Sequence, residues 1–517
     1  MPMVVRCIEV AELPMLAWCA RVDRDSDTVA VVHGRGVETH PRGFMEAAWD
    51  GDFASRNLAG ATVVCGTGAW LEDSRISFVA STDLSGPIFS IAKPACLYVS
   101  NSPAFVSAAA GEEPDEIYPF YPYDLTRIYR RGLACQGGRV RLSSAARLGV
   151  HYRTVMSVDR GGTATFAPHR LCEAPTDYAS YKALLVDGTS KVVSNAADPG
   201  RRRHYRSLAA LSRGYDSTAT AAIARASGCT DALSFVDSRI EDPQADCGAQ
   251  NARDLGMNCA VYDRWRYLEL GGREVEFGYG AVGSAVTLAA AEALLPGRLL
   301  INGEAGGSVW TPRHVKYGND LAHPWIRYAA GLSPIEFRLR VGYLMFAPAC
   351  IAARHNQAIC DIAMSDAMRP WSIGGDYDRP IARRIGEEAG LARERFGTRK
   401  LATGHTQFVY RGRFSAEGLT DYRRFLAQSH AGIAPEIYRY WRTRVERRHR
   451  LWASLESERS GDDPDGLASV RFPPPLRIPW DFMFTFQWTV ASLRRRYACA
   501  SEDVVGFGAA GSAIHAA

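Results

Sequence analysis

Residues 208–226 carry the tightest local constraint in the chain. The apolar run Leu208-Ala-Ala-Leu211 gives way to Ser212-Arg213-Gly214-Tyr215-Asp216-Ser217-Thr218, and then to the helix-favouring stretch Ala219–Ala226. A strand that opens through a small, glycine-containing loop into a helix N-terminus makes a concave row of backbone N–H groups directed at an anion. The hydroxyls of Ser212 and Ser217 add donors, and the Asp216 carboxylate suits a magnesium ion that accompanies a nucleotide phosphate. The segment therefore fits pyrophosphate. The competing reading is a tight turn in which Asp216 or Ser217 merely caps the helix. The surroundings favour a nucleotide fold, because a second apolar strand, Leu233–Val236, ends in Asp237-Ser238 where such a fold places it.

The pattern on the two sides of residues 173–178 differs. Before it, Ala61–Cys65, Ile76–Ala80, Ile88–Ile91 and Cys96–Ser100 are short apolar or alternating segments separated by turn signals such as Asp83-Leu84-Ser85-Gly86-Pro87. A second set runs from Gly138 to Phe166, with Gly161-Gly162 as a hairpin turn. These predict a sandwich of antiparallel strands. From Asp177, the residues Tyr181, Leu184, Leu185, Val192 and Val193 follow helical spacing. After the polar connection Asn195–Arg203, strands at Ser207–Leu211, Leu233–Val236, Ala260–Tyr262 and Leu299–Asn302 alternate with helical runs, one of them near Asp246–Leu255. That alternation predicts an α/β unit with a parallel sheet covered on both sides. Beyond Pro324 the pattern is mainly helical. The expected division is a β-rich domain over residues 1–175 and an α/β domain over 176–517.

Charge and apolar pattern narrow the partners. A net charge of +5 over 517 residues is too weak for a nucleic-acid surface, and the runs Arg439–Arg450 and Arg494–Arg496 read as solvated helix faces. The longest apolar stretch, Ala281–Leu295, falls short of a membrane span and reads as a buried helix. Arg6, Glu9 and Glu12 interrupt the N-terminus before any apolar run forms, so the expectation is a cytoplasmic protein without a membrane partner. Twelve cysteines, with no Cys-x-x-Cys pair and no Cys/His cluster at zinc spacing, read as reduced and mostly buried.

With these motifs in order, the chain resembles the ATP-pyrophosphatase group, and within it the synthetase domain of the asparagine synthetase family, whose loop reads Ser-Gly-Gly-x-Asp-Ser. Glu241-Asp-Pro-Gln-Ala-Asp246 and Ala252-Arg-Asp-Leu-Gly256 resemble the family's helix after the second strand. Ile301-Asn-Gly303-Glu304-Ala-Gly-Gly307-Ser308-Val-Trp310 falls where the family carries Gly-Glu-Gly-x-Asp-Glu. Tyr377-Asp-Arg-Pro-Ile-Ala-Arg-Arg, followed by Glu388–Lys400, resembles the family's C-terminal helix, turn and catalytic lysine. The match covers roughly residues 178–410. In the first part of the chain, Ser81-Thr-Asp83-Leu-Ser-Gly86-Pro and Ser100-Asn101 resemble a degenerate N-terminal amidotransferase domain.

The resemblance implies an adenine nucleotide α-hydrolase-like fold and an ATP-dependent ligase that adenylates a carboxylate, releases pyrophosphate and passes the acyl group to an amine. By the same resemblance, Ser212, Arg213, Gly214, Tyr215, Asp216, Ser217, Val236 and Gly303 bind ATP or pyrophosphate, Asp216 holds Mg2+, and Lys400 and Glu304 are catalytic. Lysine is a compact charge with mobile donors, suited to charge developing on the α-phosphate, and it is scarce here: Lys93, Lys182, Lys191, Lys316 and Lys400 are the only five. Glu304 would deprotonate the amine.

Departures shape the expectation. Glutaminase-competent relatives expose a cysteine after Met1, whereas this chain has Pro2, so no glutaminase activity is expected. The amine then comes from the substrate itself or from a second substrate, as in the β-lactam synthetases and lasso-peptide cyclases that this arrangement resembles. β-Lactam synthetases carry tyrosine at the position of Glu304. The expected partners are a small-molecule or peptide carboxylate and amine, with a precursor peptide or a partner biosynthetic protein. Arg213 replaces a family glycine and is expected to be strained if that position needs positive φ. Gly307 and Ser308 replace two magnesium-supporting carboxylates, with Asp320 as a candidate substitute. A non-catalytic scaffold of the same fold, or an adenylating transferase using another nucleophile such as sulfur, is the alternative.

Overall fold

The computed structural model describes residues 3–498, apart from 73, 281, 313–317, 324–329, 376, 399–400, 405, 411, 431–435, 438, 445 and 448–477. The alternating segments before residue 170 form two sheets. The strands are β1 (Val4–Glu9), β2 (Trp18–Asp23), β3 (Thr28–His33), β4 (Glu38–His40), β5 (Gly43–Trp49), β6 (Val64–Glu72), β7 (Arg75–Val79), β8 (Ile88–Ala92), β9 (Cys96–Ser100), β10 (Gly138–Arg141), β11 (Arg147–His151), β12 (Thr154–Asp159) and β13 (Ala164–Pro168). One sheet runs β1-β3-β2-β9-β8-β11-β10 and the other β13-β12-β7-β6-β5-β4. All pairs are antiparallel except β1 with β3. The sheets face each other through a shared core that includes Trp18, Val31 and Val99 from the first and Phe44, Phe78 and Met156 from the second. The Trp18 and Phe44 rings meet edge-on at 4.9 Å. Gly162, at φ 74°, makes the expected β12–β13 turn.

Helices α1 (Pro103–Ala110) and α2 (Tyr121–Arg130) interrupt this region, and α3 (Tyr178–Ala196) leads out of it. Asp177 caps α3 through Ser180 N–H at 2.8 Å, and the Ser180 hydroxyl reaches back to complete a capping box. Tyr181, Leu185 and Val192 are the buried stripe.

The rest of the chain alternates as its pattern predicts: β14 (Arg206–Ala210), α4 (Tyr215–Ala226), β15 (Asp231–Val236), α5 (Ala249–Asp254), β16 (Asn258–Asp263), β17 (Arg298–Ile301), α6 (Gly306–Val309), α7 (Ile335–Val341), β18 (Leu344–Phe346), α8 (Asn356–Met364), α9 (Pro380–Glu388) and α10 (Ala416–His430). The five strands form one fully parallel sheet in the order β16-β15-β14-β17-β18. Leu208, Leu233, Leu300, Ile301 and Leu344 are buried, as a sheet covered on both faces requires. The chain leaves β14 in one direction and returns on its other side at β17, so a crevice opens between their carboxyl ends.

One expectation fails. The stretch Ala281–Leu295, read as a buried helix, forms tight 3-10 turns over Val286–Leu294 instead, entered through Ala285 at φ 67° and broken at Ala291. Beyond Pro324 the described residues are mainly helical, as expected, with Leu344–Phe346 added as the edge strand beside β17. Those residues are apolar throughout, and so short a run has no readable period.

Candidate functional site

At the end of β14 the chain turns through Leu211–Gly214 into α4, and short polar contacts lock the turn. The Ser212 and Ser217 hydroxyl oxygens lie 2.8 Å apart. Ser212 N–H donates to Ser217 Oγ at 3.1 Å, Gly214 N–H donates to Ser212 Oγ at 3.1 Å, and Thr218 Oγ1 donates to the Ser212 carbonyl at 3.0 Å. The N-cap of α4 is Gly214, with no side-chain capping bond. Asp216 and Ser217 are therefore not the N-cap of the helix, and the side chain that reaches its first N–H groups is Tyr377, whose hydroxyl lies against the Tyr215 N–H.

Arg213 is not strained. It is absent from the positive-φ residues, so the expected penalty of replacing glycine does not arise. Its N–H donates to the Asp246 carbonyl at 3.1 Å and is 3.2 Å from Asp246 Oδ1, while its Nε donates to the Arg395 carbonyl at 3.2 Å. The side chain thus reaches out to the Arg395 carbonyl rather than into the crevice. Tyr215 is fully buried: its hydroxyl accepts from Arg383, and its ring packs against Tyr377 and Phe396.

The second wall comes from the residues after β17. A Cβ on Gly303 would lie 2.7 Å from Ser217 N, so only glycine lets this backbone approach the start of α4. Gly303→Ala is expected to cost about 1–3 kcal/mol, read as a lower melting temperature. Ala305 then adopts φ 64°, in the left-handed region. Ala305→Gly should accordingly stabilise by about 0.5–1 kcal/mol in chemical denaturation, because alanine is strained in the left-handed region. A Cβ on Gly307 would stand 3.1 Å from Asp216 Oδ2.

These walls enclose a cavity of about 400 Å³ at the carboxyl ends of the strands. Ser212, Gly214, Asp216 and Ser217 line it, with Gly303 and Glu304 beside them. Leu233, Phe235, Leu300 and Met345 supply an apolar surface, and Tyr377 and Leu401–Gly404 close the remainder. Arg213, Tyr215 and Val236 are not among its lining residues; Phe235 stands there in place of Val236. Lys400 lies outside the described residues, while the chain immediately after it borders the cavity. Asp246, which sequence reasoning left without a role, ties this segment to the loop: its Oδ2 accepts the Thr403 N–H at 2.9 Å.

Glu304 is the titratable group of the second wall. Burial first, then the nearby Asp83 charge, push its carboxyl up to about 7 against the opposing Arg153 charge. Asp83 belongs to the N-terminal turn Ser81–Pro87 and is itself buried, accepting from Ser81 Oγ at 2.7 Å, Ser85 N at 2.9 Å and Ala347 N at 3.3 Å. The β-rich region therefore backs the crevice from behind β18.

ATP fits this cavity by the chemistry of its donors: a helix N-terminus, two hydroxyls and an apolar wall. One magnesium ion fits at Asp216 together with phosphate oxygens, since Mg2+ commonly takes one or two carboxylates and keeps the rest of its shell as water and phosphate. A second does not fit. Position 307 has no side chain, Ser308 Oγ lies 2.9 Å from His323 Nε2, and Asp246 is occupied by N–H groups. Among the described residues, no three His, Cys, Asp or Glu side chains converge as a metal site. Asp320 is not the substitute expected: it is exposed, and its Oδ1 closes its own turn to Ala322 N at 2.9 Å.

No family model matches the chain, and no curated protein matches it. Among the described residues, no helix is long and apolar enough to cross a membrane.

Proposed function

We propose that the chain is an ATP-dependent amide-forming ligase of the asparagine synthetase type, with an ATP-pyrophosphatase domain over residues 176–517 and a degenerate amidotransferase-like domain over residues 1–175. The observation that carries this reading is the meeting of the Ser212–Ser217 loop, Gly303 and Glu304 in one cavity at the point where the sheet order reverses. ATP enters as substrate. Ser212, Gly214, Asp216 and Ser217 receive its β- and γ-phosphates; Asp216 would hold Mg2+, which would supply countercharge to them. A carboxylate oxygen of the second substrate attacks the α-phosphorus and pyrophosphate leaves. Lys400 balances the charge that develops, and an amine then displaces AMP from the acyl group, giving an amide. Glu304 takes the amine's proton; a carboxyl raised to about 7 suits that transfer near neutral pH.

Pyrophosphate release with candidate acids tests the reading, and Lys400→Ala should abolish it while Lys400→Arg reports whether a compact charge is required. Retained turnover in Lys400→Ala would remove Lys400 from the site. The scaffold reading is favoured by the bare position at Gly307. It predicts no pyrophosphate release with any acid, and no loss of partner binding in Asp216→Ala.

Glu304 also gives a signed pH prediction. Its folded value of about 7 lies above the ordinary 4.5, so the folded state holds the proton more tightly. The stability this contributes is complete below the ordinary value and is lost as pH rises through the folded value. Glu304→Gln should therefore melt higher than the parent at pH 8 and alike at pH 4, while the parent's turnover rises with pH through neutrality and that of Glu304→Gln does not.

A further inference from the structure

Arg379 is a buried cation that the mechanism above leaves unused; it does not line the cavity itself but reaches the Gly307 turn, which faces Asp216. It is 5% exposed and sits at the N-cap of α9. Its Nη1 donates to the Asp378 carbonyl at 2.6 Å and its Nη2 to the Gly307 carbonyl at 3.2 Å, while its Nε is buried without a hydrogen-bond partner. Arg383 and Arg384 on the same helix pair with Glu387 and Glu388, but among the described residues the hydrogen bonds of Arg379 go only to carbonyls, with the Tyr377 ring centroid 6.0 Å from its guanidinium carbon. Even the adjacent Asp378 carboxylate is turned away, accepting from Ser372 Oγ and from the N–H groups of Ile373 and Gly374.

A buried guanidinium without a carboxylate is costly unless something else supplies the opposing charge. Gly307, whose carbonyl holds Arg379, is also the residue whose missing side chain faces Asp216 Oδ2. The same short turn therefore carries no side-chain charge at 307, pairs Ser308 with His323 at the next position, and has a positive charge behind it. In a weakly polar interior, such a charge acts strongly on a multiply charged anion a few ångströms away.

We propose that Arg379 is the resident cation of the pyrophosphate subsite, taking through the Gly307 turn the place of a second magnesium ion, so that pyrophosphate binding does not require divalent metal. This rests on the reading of the cavity as a pyrophosphate site. Arg379 acts as a positioning residue, through the turn and through its charge.

Calorimetric titration of the full chain with inorganic pyrophosphate, in magnesium and in EDTA, tests it. The parent should bind in both, losing less than about tenfold on metal removal. Arg379→Met should weaken metal-free binding by about ten- to a hundredfold, the scale of a lost charge-assisted interaction, and Arg379→Lys should stay within about threefold of the parent. Gly307→Asp, which gives Arg379 a carboxylate and doubles the acid at Asp216, should make binding metal-dependent. If the parent binds only with magnesium, if Arg379→Lys fails as badly as Arg379→Met, or if Gly307→Asp still binds in EDTA, the role of Arg379 is refuted while the pyrophosphate site stands. If the parent binds pyrophosphate in neither buffer, the site reading itself falls. Should Arg379→Met not fold, Arg379→Lys and Gly307→Asp decide the matter.

Discussion

In Asp216→Ala, pyrophosphate-releasing turnover falls by about a hundred- to a thousandfold, the scale on which a preorganised charge at a reacting phosphate acts. No neighbour is in position to replace this carboxylate. Asp246 has its Oδ1 near Arg213 N–H and its Oδ2 on Thr403 N–H, Glu304 comes from the separate segment after β17, and position 307 has no side chain. The fold itself should tolerate the change, since Asp216 lies in the first turn of α4, whose N-cap bonds do not depend on it. Turnover should therefore collapse while the melting temperature moves little. Asp246→Asn is the instructive contrast. Its carboxylate joins the 212–217 loop to residues 401–404, so its loss should lower melting temperature and substrate affinity together. A large fall in turnover for Asp246→Asn with Asp216→Ala near the parent would reverse the two roles.

The loop from Ser212 to Ser217 was legible because its constraint is local: small residues between an apolar strand and a good helix leave the backbone few choices. The parallel sheet was legible for the same reason, since four of its strands are flanked by turn and helix patterns. What stayed hidden is what sequence separation conceals. Phe235 rather than Val236 faces the crevice because adjacent strand residues point to opposite faces, and the register that decides which one faces in is set by β14 and β16. Arg213 escapes strain because Asp246 and Gly397 accommodate it in an ordinary backbone conformation, contacts that close only in three dimensions. Asp320 looked available as a metal ligand, yet its nearest opportunity is its own turn. The docking of Asp83 behind β18 joins residues more than two hundred positions apart and has no local signature.

The largest expected loss of stability lies at another such contact, the pair between Arg338 on α7 and Glu46 on β5. Arg338 Nη1 donates to Glu46 Oε2 at 2.6 Å, with side-chain exposures of 2% and 0%. Glu46 Oε1 also accepts from Thr67 Oγ1 at 2.6 Å and Asn101 Nδ2 at 3.2 Å, and Thr67 Oγ1 in turn accepts from Trp18 Nε1 at 2.9 Å. Every member is buried, so removing one partner leaves an uncompensated charge rather than a solvated one. Glu46→Ala or Arg338→Leu should each cost about 3–5 kcal/mol in chemical denaturation, whereas Glu46→Leu with Arg338→Met should cost much less than the sum of the two, because both desolvation penalties disappear together. The pair joins the antiparallel region to the segment that runs directly into β18, the strand against which Asp83 docks. Either single substitution should consequently split the unfolding transition, with the 83–87 turn gaining amide exchange before the parallel sheet does. Additive single and double costs, or one undivided transition in the singles, would show that the two regions are held together elsewhere.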